Sequence, residues 1–169
     1  IREFQYINIS KYRMWNFSTM NQFKKGNWNI NLGAALVGIS QKIDNQIFEP
    51  NEKFLYSFNL NCNASYLVSK WQTTFSAYYK FNGKTQQFVE GSSQYIISTV
   101  DASNWLDASV RKAFFKNKLE STIGVRNILD VTNINQTTSN NGSAHGTSSN
   151  VMLAYGRSYF LKLVYNLNF

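Results

Sequence analysis

With 169 residues the chain is long enough for one domain, and its single proline, 15% charged residues and 16% aromatics exclude a collagen-like, coiled-coil or disordered chain. The net charge of +8 points first to nucleic acid, but the lysines and arginines are scattered toward segment ends and no nucleic-acid motif is present, so no nucleic acid is expected as a partner. The lone Cys62 excludes an internal disulfide framework and a cysteine zinc cluster, no run reaches the ~18–20 apolar residues of a transmembrane helix, and "IREFQYINIS" lacks the apolar centre of a signal peptide.

Apolar and polar residues alternate through nearly the whole chain, the pattern of strands with one greasy and one wet face. Seven strands are predicted, at about 4–23, 28–43, 54–69, 71–89, 104–116, 118–130 and 157–169, and no segment carries a helical apolar stripe. The first is the least regular, with Trp15, Phe17 and Thr19 opposite Met14, Asn16 and Ser18. The second presents Trp28, Ile30, Leu32, Ala34 and Leu36 on one face. The third presents Phe54, Tyr56, Phe58, Leu60, Cys62, Ala64, Tyr66 and Val68, against a face of mostly Asn and Ser. The fourth sets Trp71, Phe75, Ala77, Tyr79 and Phe81 against Gln72, Ser76, Lys80 and Asn82. The fifth and sixth repeat the rhythm more weakly, through Leu106-Ala108-Val110 and Leu119-Ser121-Ile123-Val125. The seventh is the most regular: Tyr159, Leu161, Leu163, Tyr165, Leu167 and Phe169 alternate with Ser158, Lys162, Asn166 and Asn168.

The connections alternate in length. "KKGN" (24–27), "SK" (69–70) and "KN" (116–117) are tight, whereas 44–53, 90–103 and 131–156 are long and are expected to be loops. Short turns at one end and long loops at the other are the habit of an outer-membrane β-barrel, whose periplasmic turns are short and whose external loops are long. Predicted strands of 13 residues or more exceed the ~9–11 residues a tilted strand needs to cross the hydrocarbon, and aromatics near strand ends suit interfacial girdles. The fold expected is therefore all-β: an antiparallel transmembrane β-barrel segment. Two rivals stand beside it. One is a small self-contained outer-membrane barrel of structural or adhesive role, which needs an eighth strand from residues 1–10. The other is a soluble β-sandwich that binds carbohydrate.

Three stretches carry a family resemblance. "LESTIGVRNILDVTNI" (119–134) resembles the penultimate strand of TonB-dependent outer-membrane receptors, which ends in an Asn-Leu-Phe-Asp tetrad. Here the tetrad is Asn127-Ile128-Leu129-Asp130. "ASNWLDASVRKAFFKNK" (102–118) looks like the strand before it, and "YGRSYFLKLVYNLNF" (155–169) like the terminal strand, whose Tyr165, Leu167 and Phe169 resemble the signal read by the barrel-assembly machinery. Where that signal favours Gly, this chain has Val164. The resemblance implies a barrel of about 22 strands around an N-terminal plug. Residues 1–169 would be its C-terminal portion, lacking the plug and the earlier strands. It further implies a multi-pass protein of the outer membrane of a Gram-negative bacterium that takes up a scarce solute. Its partners would be outer-membrane lipid, the remaining barrel and plug, the TonB system, the assembly machinery and a surface lipoprotein. No enzymatic activity and no cofactor are expected.

Candidate sites follow from position. His145, with Asn140 and Asn141 in the last long loop, could contact a ligand or stand as a solvated loop histidine; that Gly/Ser/Asn loop offers no third group to orient it for Ser-His catalysis. Lys80, Arg111, Arg126 and Lys162 fall between apolar positions and should face the lumen, where they attract anions or, more simply, pair with carboxylates of the plug or neighbouring strands. The acidic residues are too dispersed for a calcium site, and Cys62 sits on the apolar face as a small hydrophobe.

Overall fold

A computed structural model of the chain describes residues 9–43, 54–90, 95–139 and 147–167. These form eleven strands: β1 (Ile9–Lys25), β2 (Trp28–Ile43), β3 (Leu55–Val68), β4 (Thr73–Asn82), β5 (Thr85–Glu90), β6 (Tyr95–Val100), β7 (Ser103–Phe114), β8 (Leu119–Arg126), β9 (Asn133–Ser139), β10 (Thr147–Met152) and β11 (Ser158–Tyr165). No α-helix occurs among the described residues, only a 3-10 turn at Ser69–Trp71. A seven-stranded sheet runs in the order β1-β2-β3-β4-β7-β8-β11, and a four-stranded sheet in the order β10-β9-β6-β5. Every pairing is antiparallel.

The seven strands expected from the alternation are the seven of the larger sheet, with two corrections. The predicted strand 71–89 breaks at Gly83 and Lys84, where the Gly83 N–H donates to the Phe58 carbonyl at 2.7 Å. A Cβ at Gly83 would lie 2.3 Å from that same oxygen, so no other residue fits the approach. The long connections 90–103 and 131–156, expected as loops, contain β6, β9 and β10. Together with β5 they continue four wall strands upward into the smaller sheet. The Lys84 ammonium, 3.4 Å from the Asp101 carboxylate, ties two of the break points together.

Residues that pair directly across antiparallel strands share a face. One cross-sheet row is Trp28, Tyr66, Phe75, Val110, Ile123 and Leu161; the next is Ile30, Ala64, Ala77, Ala108, Val125 and Tyr159. The opposite face carries Asn31, Asn61, Asn63, Ser65, Ser76, Lys80, Asp107, Thr122 and Lys162. Each strand's period of two thus becomes one continuous apolar face and one polar face. Cross-strand aromatics cover backbone gaps on both: Trp15 lies over Gly38, and Phe160 over Gly124.

Among the described residues nothing covers the apolar face. No hydrophobic side chain is buried among the described residues; Ile123, Leu161 and Leu163 remain 57%, 65% and 64% exposed. A water-soluble β-sandwich needs a second layer to bury such a face, and the described residues supply none over it. The small-barrel rival is equally compatible with this sheet. Ile9 and Ser10 already belong to β1, so its eighth strand is left with residues 1–8, outside the described residues.

The short turns step regularly. Gly26, with φ +56°, opens the β1–β2 turn, which closes on the Lys25–Trp28 pair. Trp28 pairs with Tyr66, two residues before β3 ends at Val68. Thr73 pairs with Lys112, two residues before β7 ends at Phe114. Each short turn therefore lies two residues further along than the one before, the stagger of a barrel wall.

Candidate functional site

The tetrad Asn127-Ile128-Leu129-Asp130 was expected on the strand 118–130. Instead β8 ends at Arg126 and the tetrad forms a turn beyond it. Asn127 and Asp130 both take left-handed backbone, with φ of 54° and 57°, a conformation Asn and Asp tolerate better than other non-glycine residues. Asn127 is 1% exposed. Its side-chain amide donates to the Val131 carbonyl and accepts from the Val131 N–H, each at 3.0 Å, so it bonds that residue as a second backbone would. Only a carboxamide can do both.

The turn is also fastened to both neighbouring wall strands. The Asn127 N–H donates to Asp107 Oδ1 on β7 at 2.8 Å, and the Ile128 N–H to the Leu106 carbonyl at 2.7 Å. On the other side, Asp130 Oδ1 accepts the Arg157 N–H at 2.7 Å, while Arg157 Nε and Nη2 donate to the Ile128 carbonyl at 3.1 and 2.7 Å. A Cβ at Gly156 would come within 2.6 Å of Asp130 Oδ1, so glycine there lets the carboxylate in. The ends of the tetrad act through side chains and Ile128 through its backbone. Sequence reasoning missed Asp107 and Arg157 as partners. Their signals were the lone carboxylate of a strand whose other charges, Arg111 and Lys112, are basic, and an arginine immediately before the terminal alternation.

Lys80, Arg111, Arg126 and Lys162 share the polar face but are spread over β4, β7, β8 and β11. Arg111 Nη1 lies 3.3 Å from Glu120 Oε2 on the neighbouring strand. The Arg126 guanidinium stacks over the Phe160 ring at 5.1 Å. Lys162 and Arg111 flank Thr122 in one row, and Lys80 lies between Asn61 and Trp105. No three His, Cys, Asp or Glu residues gather as metal ligands among the described residues. His145, Asn140, Asn141 and Phe169 lie outside the described residues. Tyr165 is on the apolar face opposite Leu119, and Leu167 follows the end of β11. Asn166 pins that end to the β7–β8 turn, donating from its N–H to the Lys118 carbonyl at 2.8 Å and from Nδ2 to the Asn117 carbonyl at 2.9 Å.

Aromatic pairs mark two levels on the apolar face. Near the short turns, the Trp28 and Tyr66 rings lie 4.7 Å apart. Toward the far end, Phe58 meets Phe81 at 6.3 Å and Tyr56 meets Trp15 at 5.7 Å. Phe58 and Tyr66 are eight residues apart on β3, roughly 27 Å along a strand. A slanted strand of that span matches the ~25 Å apolar band between the aromatic girdles of outer-membrane barrels. The profile of the outer membrane protein beta-barrel family matches residues 1–165.

The chain belongs to that family.

Membership places this outer-membrane β-barrel protein in the envelope of a Gram-negative bacterium, and it gives the uncovered apolar face its solvent. No curated protein and no solved structure is similar enough to count as a match.

Proposed function

We propose that this outer-membrane β-barrel chain is wall and external collar of a TonB-dependent receptor, which takes up a scarce solute. The observation that carries this reading is the clasp at Asn127-Ile128-Leu129-Asp130, at the position where such receptors carry their tetrad, joined by Asp107 and Arg157 to the strands on either side. The open sheet supports it: β1 and β11 are edges, so the wall needs further strands to close. The polar face would line the lumen. There Lys80, Arg126 and Lys162 would meet carboxylates of a plug, Arg111 being already paired with Glu120. The wall does no covalent chemistry; its work is to hold a lipid-compatible cylinder around a moving plug. The small self-contained barrel is the competing reading.

A photo-crosslinking residue at Lys80 or Lys162 of the full-length protein, activated in cells, separates the two. A crosslink to an N-terminal segment of the same polypeptide, mapped by mass spectrometry, is the expected result. Crosslinks to wall strands alone would overturn the plugged-receptor reading.

A further inference from the structure

Two features of the short-turn end fall together. The first is a groove of about 890 Å³ on the apolar face. Ala64, Ala77 and Ala108 pair directly across β3, β4 and β7 and form its floor; Trp28, Tyr66 and Phe75 wall it toward the short turns. The second is charge. Lys24, Lys25, Lys70, Lys112, Lys116 and Lys118 all stand at or beside the short turns and are exposed. Lys112 is the telling one. It shares the apolar face with Val110 and Phe114, one position below the groove wall, and its ammonium lies 5.5 Å from the Phe114 ring centre. Lys25 is on the same face, opposite Trp28. The acidic residue at this end among the described residues is Glu120, which stands on the other face against Arg111. A lysine on the lipid side must reach the interface by its flexible stem and find its counter-charge there.

We infer that this corner of the wall is a seat for one anionic glycerophospholipid. Lys70 and Lys112 hold its phosphate, and one acyl chain lies along the alanine floor. The small side chains remove bulk where the chain passes, and the groove runs from the lower aromatic level toward mid-membrane, the depth of a single leaflet. This rests on reading the short turns as periplasmic, which makes the lipid one of the inner leaflet.

The test uses the full-length protein, purified in detergent and titrated with dioleoyl phosphatidylglycerol, with bound lipid counted by native mass spectrometry. The double variant Lys70→Gln/Lys112→Gln should retain one lipid fewer, with about 30-fold weaker affinity at that site for the loss of two cations. Ala77→Trp, which fills the groove and keeps the charge, should lose the same one lipid. Dioleoyl phosphatidylcholine should show no difference between wild type and the lysine variant. Unchanged phosphatidylglycerol retention in both variants would overturn the seat. Orientation is read separately with Lys116→Cys in a Cys62→Ala background. An impermeant maleimide should label it only after the outer membrane is opened; labelling of intact cells would overturn the inner-leaflet assignment.

Discussion

Asn127 concentrates more of this structure than any other residue. Its carboxamide makes both bonds to Val131, its N–H holds Asp107, and it is almost wholly buried. Asn127→Ala leaves the half-buried carbonyl and N–H of Val131 without their partner and puts alanine, which tolerates left-handed backbone less well than asparagine, at φ +54°. The expected loss is ~2–4 kcal/mol, read as a lower midpoint of urea unfolding from lipid vesicles. Asn127→Asp keeps the acceptor but not the donor and should fall between the two. A second prediction concerns the facing of adjacent residues. Cys62 is on the apolar face midway between the aromatic levels, while Asn63 is on the polar face opposite Asn31 and Tyr78. Cys62→Arg should cost ~2–4 kcal/mol near mid-membrane and sharply reduce the folded, heat-modifiable species in outer-membrane fractions. Asn63→Arg should leave it unchanged. Equal loss in both would contradict the facing.

Among the elements, the wall strands were legible and the upper strands were not, for one physical reason. A wall strand has hydrocarbon on one side and polar groups on the other, so its sequence must alternate, as "NLNCNASY" in β3 does. β5, β9 and β10 read "TQQFVE", "NINQTTS" and "TSSNVM". They are held by backbone pairing, with rows such as Gln86, Thr99, Thr137 and Ser148 in register. The sequences of β5, β9 and β10 sustain no apolar alternation, and polar strands look like loops. The tetrad was legible as a motif but not as a turn, because its hydrogen bonds reach residues 20 and 27 positions away. The same geometry makes the β9–β10 hairpin separable from the wall. The Leu153 N–H donates to the Thr132 carbonyl at 2.9 Å, so the two ends of the hairpin already meet. Replacing residues 134–151 with a two-residue turn should preserve assembly and heat-modifiability, since the clasp below is untouched. Failure to insert would show that the upper sheet is needed for the wall itself.

At the scale of the molecule, the seven-stranded sheet has two free edges, β1 and β11. Unpaired N–H and C=O groups in hydrocarbon cost several kcal/mol each. Residues 1–169 expressed alone should therefore yield no monomeric, protease-resistant, heat-modifiable β-species in detergent. Such a species would show that the chain closes unaided.

The two-residue step between successive short turns fixes how high the wall stands. Two residues of about 3.4 Å over two strand spacings of about 4.8 Å give an inclination of about 35°. A strand so inclined crosses a ~25 Å apolar band in roughly nine residues. Nine residues of β2 run from Trp28 to Leu36, and there its lipid-side sequence changes from Trp, Ile, Leu, Ala and Leu to Gly38 and Ser40. β2 continues to Ile43, which lifts its rim roughly 20 Å clear of the bilayer at the same inclination. The upper part of this wall thus stands with water on both sides, well above the depth of the lipid.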